Sequence, residues 1–184
     1  KLLVVSKNRS REDIERLMID GANLFGENRV QEAEAKFTIE LYEKYNYELH
    51  LIGPLQSNKT EDALKIFDTI QTIDRYKLVD TISKFKNKIQ FKTKSFYIQI
   101  NIGEEKQKSG ISFTDLNNLY NYSLEKNLNI VGLMCIPPLN SDPDFYFNKM
   151  QEIKNKLNDK LLLSMGMSND YEIALKCGSN LIRI

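Results

Sequence analysis

Three features of the 184-residue sequence predict a closed (β/α)8 barrel. Eight short apolar runs recur along the chain at fairly regular spacing. Most are continuously apolar rather than alternating, as expected of strands buried on both faces of a parallel sheet. Amphipathic helical stretches separate them, and strand–helix alternation implies parallel strands joined by crossovers. Eight such units favour closure over the alternative, an open doubly wound sheet, which usually has fewer strands. No Gly/Ser/Pro-rich linker divides the chain, so residues 1–184 are read as a single domain. The units are too uneven and too unlike each other for a solenoid.

The elements follow in order. The run LLVVSK at 2–7 is the first strand. Ser10 caps the helix after it, with Asp13 completing a shortened capping box. Ile14, Leu17 and Met18 then form an apolar stripe at helical spacing. NLFGEN at 23–28 and ELHLIG at 48–53 are the second and third strands. Asn58 with Glu61 is expected to cap a helix carrying Ala63, Leu64 and Phe67. TIQTID at 69–74 and FYIQIN at 96–101 come next. Thr114 or Asp115 caps a helix carrying Leu116, Leu119 and Tyr120. NIVGLM at 129–134 is the sixth strand, and Pro143 in SDPDF marks a further helix start. LLLSMG at 161–166 is the seventh, and Ser168 is expected to cap a helix carrying Ile173, Ala174 and Leu175. NLIRI at 180–184 is the eighth.

Composition narrows the function. The chain is 41% hydrophobic and 28% charged, with a net charge of +1. That balance suits a soluble globule and gives no global field for nucleic acid or membrane. No apolar run approaches a transmembrane length, and no signal peptide is visible. The run SKFKNKIQFKTKS at 83–95 holds five lysines and reads as a solvated helix end and turn. A nucleic-acid patch would interleave aromatics or arginines. Two distant cysteines, Cys135 and Cys177, point to reduced thiols and a cytoplasmic setting. One histidine, His50, excludes a His-rich metal site, and no metal is expected. The chain starts inside a strand, without Met, and ends on another, so it reads as a fragment or the ordered part of a longer protein.

A barrel places its functional groups at the C-terminal ends of the strands. Those ends are Lys7, Asn28, Gly53, Asp74, Asn101, Met134, Met165 with Gly166, and Arg183. Each has a plain structural reading as well. Lys7 is either a lysine reaching solvent or an amine that condenses with an aldehyde. The second role needs a neutral amine, which burial and a nearby cation such as Arg183 would favour. Asn28 is either a helix cap or a donor and acceptor at the mouth. His50 reads better as a satisfied core or loop-facing histidine than as a reactive one. The charged loop GEEKQKSG at 103–110 is either a solvated surface loop or a lid. Arg183 is either a structural ion-pair partner or a cation for a phosphate or ring nitrogen. The stretch LSMGMSNDYEIALKCG at 163–178 combines a flexible Gly166 with a helix start at Ser168, an arrangement suited to phosphate near strand seven of a barrel. A lysine, a phosphate-ready turn and an arginine on neighbouring strands suit one cofactor, pyridoxal 5′-phosphate, with its aldehyde, phosphate and ring nitrogen.

The motifs VVSK, FGENRVQE, HLIGPLQSNK, GLMCIPP and LSMGMSNDYEIALKCGSNLIRI span the chain, and on them it resembles the pyridoxal-phosphate homeostasis family. The resemblance implies a single-domain TIM barrel like that of the alanine racemases. It implies that Lys7 forms a Schiff base with pyridoxal 5′-phosphate and that Asn28 lies beside the ring. Ser168 would bind the phosphate, Met165 line the site, and Arg183 face the pyridine nitrogen. It also implies a leading helix before the first strand and a Gly-Thr pair after the arginine, neither within these 184 residues. The implied function is non-catalytic: a cytoplasmic monomer that buffers the cofactor or delivers it to apoenzymes that use it. The alternative is a small amino-acid racemase. Racemisation needs proton transfer on both faces of a carbanion, and racemases add a second, β-rich domain for which no residues remain here. A third class, a phosphosugar-type barrel enzyme, would rest on Asp74 and His50 alone.

Overall fold

Eight parallel strands lie side by side in the order β7-β6-β5-β4-β3-β2-β1-β8 in the computed structural model, which describes residues 1–85, 88 and 91–184. They are β1 (Leu2–Val5), β2 (Leu24–Glu27), β3 (Glu48–Leu51), β4 (Thr69–Ile73), β5 (Ser95–Ile100), β6 (Ile130–Cys135), β7 (Leu162–Ser164) and β8 (Ile182–Arg183). The sheet closes between its ends. Ser164 pairs with Leu181, and Leu181 N–H donates to Leu163 O at 3.0 Å. The expected (β/α)8 barrel is the observed fold.

The crossovers are α1 (Arg11–Ile19), α2 (Val30–Lys36), α3 (Ile39–Tyr45), α4 (Thr60–Ile66), α5 (Tyr76–Phe85), α6 (Leu116–Glu125), α7 (Pro143–Leu157) and α8 (Tyr171–Lys176). The capping box at α1 is formed: Ser10 Oγ accepts from Asp13 N at 3.1 Å, and Asp13 Oδ2 accepts from Ser10 N at 3.4 Å. Pro143 opens α7 behind an Asp142 cap. Two expected starts move and one keeps its place. A 3-10 turn at Ser57–Lys59 precedes α4, so Asn58 caps nothing. Asp115 is the N-cap of α6, as expected, although its side chain makes no capping bond; Ser112 caps the 3-10 turn Phe113–Asp115 ahead of it. The last helix begins at Tyr171, and Ser168 lies in the turn ahead of it. In each case a tight turn takes up the strand exit before the first helical hydrogen bond forms.

Two apolar clusters fill the molecule. The larger lies between strands and helices, built from outward-facing residues such as Phe25, Leu49, Ile70, Ile98 and Leu133 with helix residues such as Ala63, Leu64 and Phe147. The smaller, Leu3, Leu24 and Leu181 with Val5 and Ile52, fills one side of the barrel lumen. The other side is polar, with His50, Gln71, Gln99, Ser164 and Arg183 all buried. No helix among the described residues is long and apolar enough to cross a membrane. Of the basic run at 83–95, residues 86, 87, 89 and 90 lie outside the described residues. Lys92 pairs with Asp68 at 3.1 Å.

Candidate functional site

At the C-terminal ends of the strands, here called the upper mouth, a cavity of about 590 Å³ is bounded by Lys7, Asn28, Ser168 and Arg183 together with Gly53, Asn101, Lys108 and Met167. Four of the five expected site residues are thus brought together. Met165 is the exception. It is fully buried within the core, and Met167, two positions on, reaches the cavity instead. Met165 directly follows the lumen-facing Ser164 and so faces outward into the core, whereas Met167 lies beyond the strand end, in the turn that walls the cavity.

Lys7 is held by its neighbours rather than by its own amine. Ser6 Oγ donates to Glu27 Oε1 at 2.8 Å, and Lys36 Nζ donates to Ser6 O at 2.8 Å and to Glu27 Oε1 at 3.0 Å. On the other side, Asn8 N–H donates to Glu32 Oε1 at 2.6 Å, and the same carboxylate pairs with Lys36. A cluster of two carboxylates and one ammonium therefore grips the backbone on both sides of Lys7. Burial pushes the Glu27 carboxyl above its ordinary range despite its bonds to Ser6 and Lys36. The hydrogen bond from Lys36 holds Glu32 below that range. Lys7 itself is exposed at the mouth, and its amine has no hydrogen bond or ion pair among the described residues. The expected burial is absent, and the amine is left unpaired among the described residues.

Asn28 follows β2 and packs against the β3 exit. A Cβ on Gly53 would come 2.2 Å from Asn28 O, so only glycine lets these two segments meet. Gly166 has φ +98°, and its missing Cβ would meet Ala174 at 2.6 Å. It permits close packing of α8, not the approach of a ligand. Ser168 sits in an exposed turn that Asp170 braces by accepting from Met167 N at 2.6 Å.

Arg183 is 4% exposed and has no carboxylate partner among the described residues. Its Nη1 donates to Ser164 Oγ at 2.8 Å and its Nη2 to Cys135 O at 3.0 Å. Burial holds its pKa below the ordinary guanidinium value, yet a guanidinium stays charged in proteins. The Cys135 thiol beside it is pushed up to about 12 by burial, so it offers no thiolate.

The loop at 103–110 is neither loose nor wholly solvated. Asn101 Nδ2 donates to Glu105 O at 2.8 Å and Asn101 Oδ1 accepts from Glu105 N at 3.2 Å. Lys108, paired with Glu105, reaches Pro137 O at 3.2 Å. Gln107, Lys108 and Ser109 thereby form one wall of the cavity. Asp74 and Met134, also at strand ends, stay away from it: Asp74 pairs with Arg75, and Met134 is fully buried.

Sequence reasoning missed Arg9 and Lys108 as lining residues. With Lys7 and Arg183 they place four cationic side chains around the cavity, against no acidic side chain among its lining residues. Such a field favours an anion. The donors present fit a phosphate, an aldehyde and an aromatic nitrogen: hydroxyl and cations for the first, Lys7 for the second, Arg183 for the third.

Comparison with known proteins agrees. Residues 2–184 match the family described as "Alanine racemase, N-terminal domain". The chain is 37% identical to the pyridoxal phosphate homeostasis protein of Aquifex aeolicus, covering 100% of this chain and 83% of that one. It is 39% identical to the protein of that name from Haemophilus influenzae, covering 100% and 81%. PipY of Synechococcus elongatus, solved with PLP bound, is 31% identical with a TM-score of 0.86, over 100% of this chain and 89% of that one. The alanine racemase of Clostridium difficile shares the fold, with a TM-score of 0.76 at 14% identity over 100% of this chain and 50% of that one. The chain therefore belongs to the alanine racemase N-terminal domain family and, within it, to the pyridoxal phosphate homeostasis proteins.

Proposed function

We propose that the chain binds pyridoxal 5′-phosphate reversibly at the upper mouth, joined to the Lys7 amine, and buffers or hands on the cofactor without catalysing a reaction. One observation carries this reading: an unpaired amine stands in a cavity with four cationic and no acidic side chains among its lining residues. When bound, the cofactor supplies an aldehyde that condenses with an amine and a phosphate that seeks cations. Ser168 and the turn around it would hold the phosphate, and Arg9 adds charge there. Asn28 would lie beside the ring, and Arg183 would face its nitrogen. A cation in that place disfavours ring protonation, which weakens the ring as an electron sink.

The lining also supports a role without catalysis. Among its residues there is no Asp, Glu, His, Tyr or Cys to serve as a second acid or base opposite Lys7. Tyr97, the strand tyrosine in the lumen, is buried and its hydroxyl is pushed up to about 12. An open mouth suits loading and unloading. A cytoplasmic monomer that supplies apoenzymes completes the reading, with support from two free cysteines.

The test is spectroscopic. Purified protein mixed with pyridoxal 5′-phosphate should show the absorption band of a lysine-bound cofactor, and Lys7→Ala should lose it. No band in the wild type would sink the reading. Incubation of the loaded protein with L-amino acids in deuterium oxide should show no enzyme-like exchange of the α-proton. Rapid exchange would overturn the non-catalytic part and favour a racemase.

A further inference from the structure

Four buried side chains and one half-exposed carboxylate cross the barrel lumen in a single hydrogen-bonded file. Glu48 Oε1 lies 2.8 Å from His50 Nε2. His50 Nδ1 lies 2.7 Å from Gln71 Nε2. Gln71 Oε1 accepts from Ser164 Oγ at 2.6 Å, and Ser164 Oγ accepts from Arg183 Nη1 at 2.8 Å. His50, Gln71, Ser164 and Arg183 are each at most 4% exposed. The file begins at the lower mouth, where Glu48 lines a second cavity, and ends at the upper one. It joins β3, β4, β7 and β8, so it ties opposite walls of the barrel.

Its two ends fix the direction of every bond. A guanidinium can only donate and a carboxylate can only accept. Arg183 therefore donates to Ser164, and the Ser164 hydroxyl turns its hydrogen to Gln71 Oε1. Gln71 Nε2 donates to His50 Nδ1, and His50 donates from Nε2 to Glu48. A neutral His50 carrying its hydrogen on Nε2 satisfies all four bonds. A second proton on His50, at Nδ1, sets two donors against each other across the 2.7 Å contact with Gln71. Turning the Gln71 amide over repairs that contact. It also sets an NH2 group against Ser164, whose hydroxyl hydrogen then has no acceptor at that place. The Ser164 hydroxyl must then leave the orientation in which it bridges Gln71 and Arg183.

We propose that Gln71 and His50 are positioning residues for Arg183, and that protonation of His50 from the lower mouth reverses the Gln71 amide and loosens the guanidinium at the upper mouth. The consequence for cofactor binding rests on the function proposed above; the coupling within the protein does not. Among the described residues, the ionisable groups facing His50 are Glu48 directly and, acting on Glu48, Lys1, Lys94 and Tyr97. Glu48 has a side chain 44% exposed, so solvent protons reach the start of the file. By reciprocity, a ligand that needs the ordered arginine disfavours the protonated histidine.

The experiment uses cofactor-free, nitrogen-15-labelled protein. The chain has one histidine, so its ring signals need no assignment. Long-range proton–nitrogen spectra at about pH 7.5 should show the Nε2–H tautomer. Lowering the pH should move the Arg183 side-chain signal, assigned with Arg183→Lys, with the same midpoint as His50. In Gln71→Leu the arginine signal should stop following the histidine, and the tautomer should become mixed. A second arm measures pyridoxal 5′-phosphate affinity, which should weaken at least about threefold as His50 protonates and lose that pH dependence in Gln71→Leu. An Nδ1–H tautomer, an arginine signal indifferent to the histidine in the wild type, or a histidine that stays neutral to about pH 5 would overturn the proposal. Coupled signals in a protein that binds no cofactor would leave the relay standing and remove the binding role.

Discussion

The lower mouth of the barrel opens into a cavity of about 740 Å³, and the upper mouth into one of about 590 Å³. Both are lined by lysines. At the lower mouth, Lys1 and Lys94 share the wall with Glu48 and Asp68, two cations against two acids. Those acids are already engaged, Glu48 with His50 and Asp68 with Leu49 N and Lys92. At the upper mouth, Lys7, Arg9 and Arg183 have no acidic ion-pair partner among the described residues, and only Lys108 is paired, with Glu105, which is not itself in the lining. The larger cavity is the balanced one. Size does not set the two mouths apart; uncompensated charge beside an unpaired amine does. Strand direction is the reason, since the loops that leave the C-terminal ends carry the variable side chains.

The comparison can be broken first at the support of Lys7. Lys36→Met removes the one cation between Glu27 and Glu32, leaving a buried carboxylate uncompensated. A loss of about 3 kcal/mol is expected in urea unfolding near neutral pH. The pH dependence has a definite sign. Glu27 binds its proton more tightly in the folded state, so its contribution to stability is full below its unfolded value and is lost as pH rises through the folded one. Removing Lys36 raises that folded value further, so the defect should shrink near pH 4.5. An equal defect at both pH values would contradict the charge account.

Gly53→Ala attacks the wall itself. Its Cβ would stand 2.2 Å from Asn28 O, and backbone on one side must move. We expect about 1–3 kcal/mol of lost stability and weaker cofactor binding in the same variant. A normal binding curve would show that the Asn28 segment is not part of the site.

A paired charge reversal sharpens the contrast directly. Arg9→Glu at the upper mouth should weaken pyridoxal 5′-phosphate by about tenfold, more at low salt than at high. Lys94→Glu at the lower mouth should leave the titration unchanged. Equal effects from both would mean that net charge, not the site, attracts the cofactor. The smallest effect belongs to Ser10→Ala, which removes the cap of the helix after Lys7. It should cost about 1 kcal/mol in thermal unfolding and leave the absorption band in place.

The barrel was legible because its strands are short apolar runs at steady spacing, and the mouth because strand ends can be read from those runs. Lys7, Asn28, Gly53, Asn101 and Arg183 all fall on the cavity. Asp74, Met134 and Met165 do not: Asp74 pairs with Arg75, Met134 faces the lumen in register with Gln99 and Ser164 but is fully buried, and Met165 faces outward, a parity that a continuous apolar run hides. The turn at 168–170 was read as a helix start since Ser168 is a good cap, but Asp170 braces the turn instead. The lumen file was missed for a different reason. Gln71 and Ser164 stand 93 residues apart, and only closure of the barrel brings them to 2.6 Å. The reading of His50 as a satisfied core histidine holds, with both ring nitrogens bonded. Of the residues that anchor Lys7, Glu27 and Glu32 lie within the motif FGENRVQE and Lys36 just beyond it, yet the tertiary fold is needed to bring Ser6 and Asn8 to them.

The central claim is that the upper mouth, through Lys7, takes the cofactor while the lower mouth does not. Borohydride reduction of the protein loaded with pyridoxal 5′-phosphate, followed by peptide mapping, tests it most directly. The account predicts one stable pyridoxyl adduct, on the peptide that carries Lys7. An adduct on Lys1 or Lys94, or label spread over surface lysines with Lys7 unmodified, would contradict it.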